Sequence, residues 1–241
     1  PNKRTTECLR ARSTTRSSRV PRTCWILARI SRLSYRYPRV HAQRPHRTNH
    51  VNLPHSAHQL ALVQRYLEQL SSSIYHRIRP LLDERFRMIS YDVNDVQFAE
   101  NEINDPFAQA FVLALKEVYA EYEGMLTEAN FDGLIHNSLR HITAQLERAV
   151  LQKRFSQLGG LQFDKDLRCI VSYYTGITKR TIRGEFARLL QMASLLNLER
   201  VSEVMDYWGE NSGQVTWRLT PSEVRKVLGY VAMQSTQRAV Y

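Results

Sequence analysis

Motifs that arm a sequence for chemistry are what these 241 residues lack first. G-x-S-x-G, H-E-x-x-H and the Walker loop are all missing, and with them the common nucleophile, zinc and nucleotide signatures. His136 and His141 lie five apart, which puts them about 140° apart on a helix, so they do not converge. Cysteine is scarce and scattered: Cys8, Cys24 and Cys169, an odd number without a C-x-x-C pair. That usage suits a reducing compartment better than a disulfide framework, and Cys169, between Leu167 and Ile170, reads as a small buried apolar residue. No apolar run approaches the ~20 residues of a membrane-spanning helix, so membrane contact is expected to be peripheral or made through partners. Pro1 stands where an initiator Met would, so the sequence reads as a fragment or a processed chain.

Acids are missing from one end. Residues 1–50 hold thirteen Lys or Arg and one acid, Glu7, whereas the rest of the chain has 21 basic and 22 acidic groups. The overall charge of +11 therefore belongs to a tail, and the remainder is close to neutral. A nucleic-acid-binding domain needs its cations on the folded module that docks. Residues 1–54 read as a disordered basic extension, rich in Arg, Ser, Thr, Pro and His. Within it Ile26, Ile30 and Leu33 share a helical face and Arg29, Arg32 and Arg36 another, the pattern of a transit peptide or a membrane-surface helix. A solvated extension is the preferred reading. His41, His46, His50, His55 and His58 recur nearby, but no core fixes them as metal ligands. No metal, cofactor or catalytic residue is assigned.

What the chain has in abundance is helical periodicity. Leu60, Val63, Leu67, Leu70, Ile74, Ile78 and Leu81 step by three or four, and Pro80 predicts a kink or break at Arg79–Pro80. Residues 90–104 lose the period and read as a loop. Asp105 and Pro106 suit the cap and first turn of a helix carrying Phe107, Phe111, Ala114, Val118, Tyr122 and Leu126. The next runs from about Glu128 to Gln157, with Phe131, Ile135, Leu139, Ile142, Leu146 and Val150 inward, and is expected to end at Gly159. Asp164 can start a helix with Leu167, Val171 and Tyr174. Thr178 or Thr181 can start another with Ile182, Phe186, Leu189, Ala193 and Leu196 on one face, and Asn197 opens a further one through Trp208. Val215, Trp217 and Leu219 alternate like a short extended segment. Thr220-Pro221-Ser222-Glu223 is a capping box for a last helix fading near Gly229. The expected fold is all-α, an elongated stack of helical bundles with one short extended segment near the C-terminus. Its divisions are a basic tail (1–54), a first bundle (55–126), a second bundle (127–230) and an irregular end (231–241).

GGLQFDKDLR, TIRGEFARLLQMASLLNLERVSEVMDYWG, NSG and TWRLTPSEVRKVL, with QFAENEINDPFAQAFV upstream, resemble the C-terminal region of subunit 4 of the conserved oligomeric Golgi complex. The likeness runs from roughly Ser73 to Leu228; residues 1–54 and Val231–Tyr241 do not share it. It implies a helical-rod subunit of a vesicle-tethering complex, acting without catalysis in retrograde transport within the Golgi. The subunit would sit peripherally on the cytosolic face of the Golgi membrane. The implied partners are sister tethering subunits, with SNAREs, SNARE regulators and small GTPases as further candidates.

The competing reading is a winged-helix or helix-turn-helix nucleic-acid module spanning the helices around 181–208 and the following TWRLT. A recognition helix should expose Arg, Lys, Asn or Gln, whereas the stretch from Leu198 offers Glu199, Glu203 and Asp206 beside Arg200, so no nucleic acid is expected as partner. The candidate residues are structural. Trp208 and Trp217 bracket the Gly209–Gln214 loop, and at least one should be buried and pin the last helix. Arg188 lies at the margin of the buried stripe, where its stem can run along apolar surface. Glu185, Glu199 and Glu223 compete for it. Glu223 at the turn capped by Thr220 is preferred, because that pair would tie together helices far apart in sequence.

Overall fold

The computed structural model describes residues 26, 27, 29, 30, 54–104, 107–204 and 216–238. Among them seven helices form: α1 (Pro54–Met88), α2 (Asp95–Asn104), α3 (Ala108–Ala120), α4 (Glu128–Val150), α5 (Gln157–Ile177), α6 (Arg183–Leu196) and α7 (Pro221–Arg238). A single 3-10 turn, Val201–Glu203, follows α6. No strand forms among the described residues; the one bridge joins Tyr91 and Phe155 in parallel. The fold is all-α.

Two compact units divide the chain, and each is discontinuous in sequence. One takes residues up to His76 together with Val118–Ser138; the other takes Arg77–Glu117 and Leu139 onward. The first buries Leu67, Leu70, Ile74, Tyr119, Tyr122, Leu134 and Ile135, and also Ile30. A buried polar tie joins the Tyr119 hydroxyl to Ser138 Oγ at 2.7 Å. The second buries an aromatic cluster of Phe86, Tyr91, Phe107, Phe111, Phe155 and Phe163, with adjacent ring centres 5.2–5.7 Å apart. At such spacings tilted and stacked rings add to the gain from burial alone. In this unit α5 packs on α6, α7 on α6, and α2 on α5.

Several local expectations give way. α1 does not break at Pro80. The proline costs the hydrogen bond to the carbonyl of His76, but both residues are exposed, so water can satisfy that group, while buried Ile78, Leu82 and Phe86 hold the next turns. The loop expected at 90–104 contains α2, which buries no residue and so carries no inward stripe to read. Gly159 does not end α4. That helix stops at Val150, and Gly159 and Gly160 lie in the first turn of α5, N-capped by Ser156 rather than started at Asp164. The pair is there for close approach: a Cβ on Gly159 would sit 1.6 Å from the Tyr91 carbonyl oxygen, and one on Gly160 2.8 Å from that of Leu196. After Asn197 come a turn and the 3-10 segment Val201–Glu203, and Val204 is helical; the rest of the expected helix, Met205 to Trp208, lies outside the described residues. α7 continues past Gly229 to Arg238. Cys169 is half-buried rather than buried. Asp105, Pro106 and the histidines up to His50 lie outside the described residues.

Candidate functional site

The polar groups of the second unit converge on one face of α6. Gly184, Arg188 and Gln191 recur at steps of four and three, so all three meet the same neighbour. That neighbour is the non-helical stretch Thr216–Thr220, which has no strand partner and takes its hydrogen bonds from side chains instead. Gln191 reads it as a second strand would. Its Oε1 accepts from Arg218 N–H at 2.9 Å, and its Nε2 donates to the Thr216 carbonyl at 3.0 Å. Arg218 Nη1 donates back to the Gly184 carbonyl at 2.9 Å.

Arg188 stands at the centre. Its Nε donates to Glu147 Oε2 at 2.8 Å, its Nη1 to the Arg218 carbonyl at 2.6 Å and its Nη2 to Glu223 Oε1 at 2.5 Å. One guanidinium thus joins α4, α6, the segment before α7, and α7 itself. Such a fork suits arginine, whose five N–H groups are held in a plane. The side chains of Arg188, Glu147 and Glu223 retain 29%, 16% and 24% exposure, an intermediate setting between surface pair and buried triad. The hydrogen bond to Glu147 raises the Arg188 pKa, partial burial opposes it, and Glu223 adds to the rise.

Glu223 carries two duties. Its Oε2 accepts from both the Thr220 N–H and the Thr220 hydroxyl at 2.8 Å, while Glu223 N–H points to Thr220 Oγ1 at 3.4 Å. This is the capping box at the start of α7, and the same carboxylate's other oxygen holds Arg188. Partial burial pushes the Glu223 carboxyl up, but the Thr220 donors and Arg188 outweigh it and hold it below the ordinary carboxylate range.

Among the residues expected to matter, Arg188, Glu223 and Thr220 are therefore brought together. Trp217 lies within the segment that Gln191 holds and is partly buried, and Trp208 lies outside the described residues. Glu199 and Glu185 are not the partners the Arg188 side chain takes here. Sequence reasoning missed Glu147, Gln191, Arg218 and Gly184. The i−4 and i+3 spacing around Arg188 could have flagged Gly184 and Gln191; nothing local marks Glu147, which is 41 residues away.

A shallow cleft of about 380 Å³ opens beside the cluster, lined by Arg140, Thr143 and Glu147 on α4 and by Gly184, Glu185 and Arg218. Among the described residues no group of three His, Cys, Asp or Glu side chains could hold a metal ion. Within the cluster Arg188 pairs with both carboxylates, linking α4, α6 and α7.

A second polar junction lies at the start of α5. Ser156 Oγ accepts from Gly159 N–H at 3.0 Å and Val93 N–H at 3.1 Å, and Ser156 N–H donates to the Tyr91 carbonyl at 2.8 Å. The Tyr91 hydroxyl donates to Asp166 Oδ2 at 2.7 Å, with both residues buried. Lys153 Nζ reaches the Ile89 carbonyl at 2.5 Å and lies 5.0 Å from the Phe86 ring centre, and burial pulls its pKa down.

The family profile described as conserved oligomeric Golgi complex subunit 4, C-terminal, matches residues 46–226. The match begins inside the stretch 1–54 that was expected to lie outside such a family. Curated proteins named conserved oligomeric Golgi complex subunit 4 align over much of the chain. The one from Arabidopsis thaliana is 50% identical over 163 residues, covering 68% of this chain and 22% of its own length. The one from Homo sapiens is 45% identical over 168 residues, covering 69% and 21%. The one from Caenorhabditis elegans is 32% identical over 140 residues, covering 56% and 17%. The chain thus spans about a fifth of the length of the curated relatives it matches.

Proposed function

Because the chain belongs to the family of conserved oligomeric Golgi complex subunit 4, C-terminal, we propose that it is part of a non-catalytic subunit of a Golgi vesicle-tethering complex. In this reading it serves retrograde transport within the Golgi by protein–protein contact. Its partners are the other subunits of the complex, with SNAREs, SNARE regulators and small GTPases as the further class. It resides peripherally on the cytosolic face of the Golgi membrane, held there through the complex. That no described helix is long and apolar enough to cross a membrane fits such an attachment.

The observation that supports this reading best is the Arg188 cluster. Each of its polar groups is directed at another element of the same unit, which is what a part that works by presenting a surface requires. Arg188, Glu223, Thr220 and Trp217 would act together to hold α7 at a fixed angle and so keep the face it offers to a partner in shape; Trp208 would assist them. The test uses the full-length subunit in cells lacking it, with retrograde cycling of a resident Golgi enzyme and co-precipitation of sister subunits as readouts. Arg188→Ala is expected to leave the subunit folded and to slow cycling. Full rescue by a subunit lacking residues 55–230 would overturn the proposal.

A further inference from the structure

α2 is unusual in turning apolar side chains outward. It buries no residue, and Val96 and Ile103 are 67% and 83% exposed. Val96, Glu100 and Ile103 step by four and three, so they share the solvent side of the helix. The opposite side is the docked one: Asn101 Nδ2 donates to Gln162 Oε1 at 3.0 Å, and Lys165 Nζ to the Glu102 carbonyl at 3.1 Å. The exposed stripe is therefore left over after α2 has packed on α5.

Next to it runs a cleft of about 540 Å³ between the end of α1 and α2, with Glu84, Arg85 and Met88 on one wall and Gln97, Glu100 and Asn101 on the other. Met88 is 81% exposed. The surroundings are acidic. From Leu81 to Asn104 the chain has six carboxylates (Asp83, Glu84, Asp92, Asp95, Glu100 and Glu102) against Arg85 and Arg87. Asp83 is engaged by Arg79 and Gln145, and Lys165 offsets the far end of α2; Glu84 and Glu100 line the cleft, and Asp95 adjoins Val96 in sequence. The overall charge of +11 comes from residues 1–50, and residues 51–241 together are close to neutral.

We propose that this cleft and the outward stripe of α2 form a docking groove for a basic amphipathic helix of a partner protein. Its apolar side chains would lie over Met88, Val96 and Ile103, and its Lys or Arg residues would reach Glu84, Glu100 and Asp95. Apolar contact supplies the affinity of helix-in-groove recognition, and complementary charge supplies selectivity and encounter rate. The choice of a basic partner rests on charge complementarity. A second copy apposing the same groove would bring like charge to it, and an anionic membrane would be repelled by it. The inference concerns a surface that the Golgi reading does not use, and it stands or falls separately.

The probe is a synthetic helical peptide of about five turns with a leucine stripe flanked by lysines, titrated into the intact protein and compared with its glutamate-flanked analogue. The basic tail of the chain would favour the acidic peptide, so preference for the lysine one is informative. Binding of the lysine peptide is expected, weakened about tenfold by the double variant Val96→Ser/Ile103→Ser and several-fold by Glu100→Lys. It should fall with added salt, whereas Leu113→Ser, at an exposed apolar site on α3, should leave it unchanged. Equal binding of both peptides, indifference to the α2 substitutions, or no binding of the lysine peptide overturns the proposal. So does self-association, or adhesion to anionic lipid vesicles, that is abolished by Ile103→Ser, since a second copy or a membrane would then be the occupant.

Discussion

Replacing Gly159 with alanine probes the tightest backbone contact in the second unit. The added Cβ would lie 1.6 Å from the Tyr91 carbonyl oxygen and 2.5 Å from its carbon, both backbone atoms. Ordinary contact needs roughly twice the shorter distance, so the Tyr91 segment has to retreat by about 1.5–2 Å. That retreat stretches the 2.8 Å bond from Ser156 N–H to the Tyr91 carbonyl past any useful length and pulls the Tyr91 hydroxyl away from Asp166. Buried groups stranded this way cost about 1–3 kcal/mol each, and overpacking adds a similar amount. Partial relaxation brings the expected loss to about 3–5 kcal/mol, a large share of the ~5–15 kcal/mol that stabilises a domain. At roughly 2–4 °C per kcal/mol for a chain of this size, the melting temperature should drop on the order of 10 °C. Gly229→Ala is the matched control. It lies inside α7 with open space where its Cβ would go, so it should be neutral or gain up to ~1 kcal/mol. Urea and thermal unfolding followed by helical circular dichroism decide the matter. A Gly159→Ala protein within about 0.5 kcal/mol of the parent would refute the steric account.

Arg188→Ala should cost about 2–3 kcal/mol by stranding two half-buried carboxylates, and Arg188→Lys should restore little, because a point charge cannot make the fork; chemical denaturation of both variants measures this. Double-mutant cycles should give coupling of Arg188 to both Glu147 and Glu223, and none to Glu199. Tyr91→Phe removes the donor to buried Asp166 and should lose ~1–3 kcal/mol, read as a lower urea midpoint. The Glu223 pKa is lowered in the fold, so its contribution is complete above the unfolded carboxylate pKa and fades as pH falls through the lower folded value. Acid titration of α7 docking should therefore show a loss that Glu223→Gln abolishes.

How much of this could be read from the sequence depends on the range of each interaction. The capping box is a contact over three residues, and Thr220 with Glu223 spells it out. The stripes of α1, α4 and α6 are equally local, since a face that will be buried must already be apolar at helical spacing. α2 gives no such signal because the stripe presupposes burial, and Val96 and Ile103 face outward. Of the kink or break expected at Pro80, the break does not form, because the orphaned carbonyl of exposed His76 is open to water. Gly159 reads as a helix end in the sequence because the reason for it, the Tyr91 backbone, lies in another segment of the chain. Glu147 was missed likewise: an acid on the margin of α4 looks like any solvated charge until α6 arrives beside it.

The discontinuity of the two units has a consequence for how the chain is made. Residues 77–117 belong to a unit that is completed only by residues from 139 onward, and Tyr91 waits 75 residues for Asp166. At roughly 5–20 residues per second, that wait on the ribosome lasts about 4–15 s. During it the apolar residues of the nascent segment, Phe86, Phe107 and Phe111 among them, have no second half to cover them. The helices themselves form in microseconds, so what emerges first is a set of amphipathic rods with bare faces. Slowed translation after residue 117, or loss of the chaperones that shield such faces, should lower the yield of this protein more than that of one whose units are completed in order.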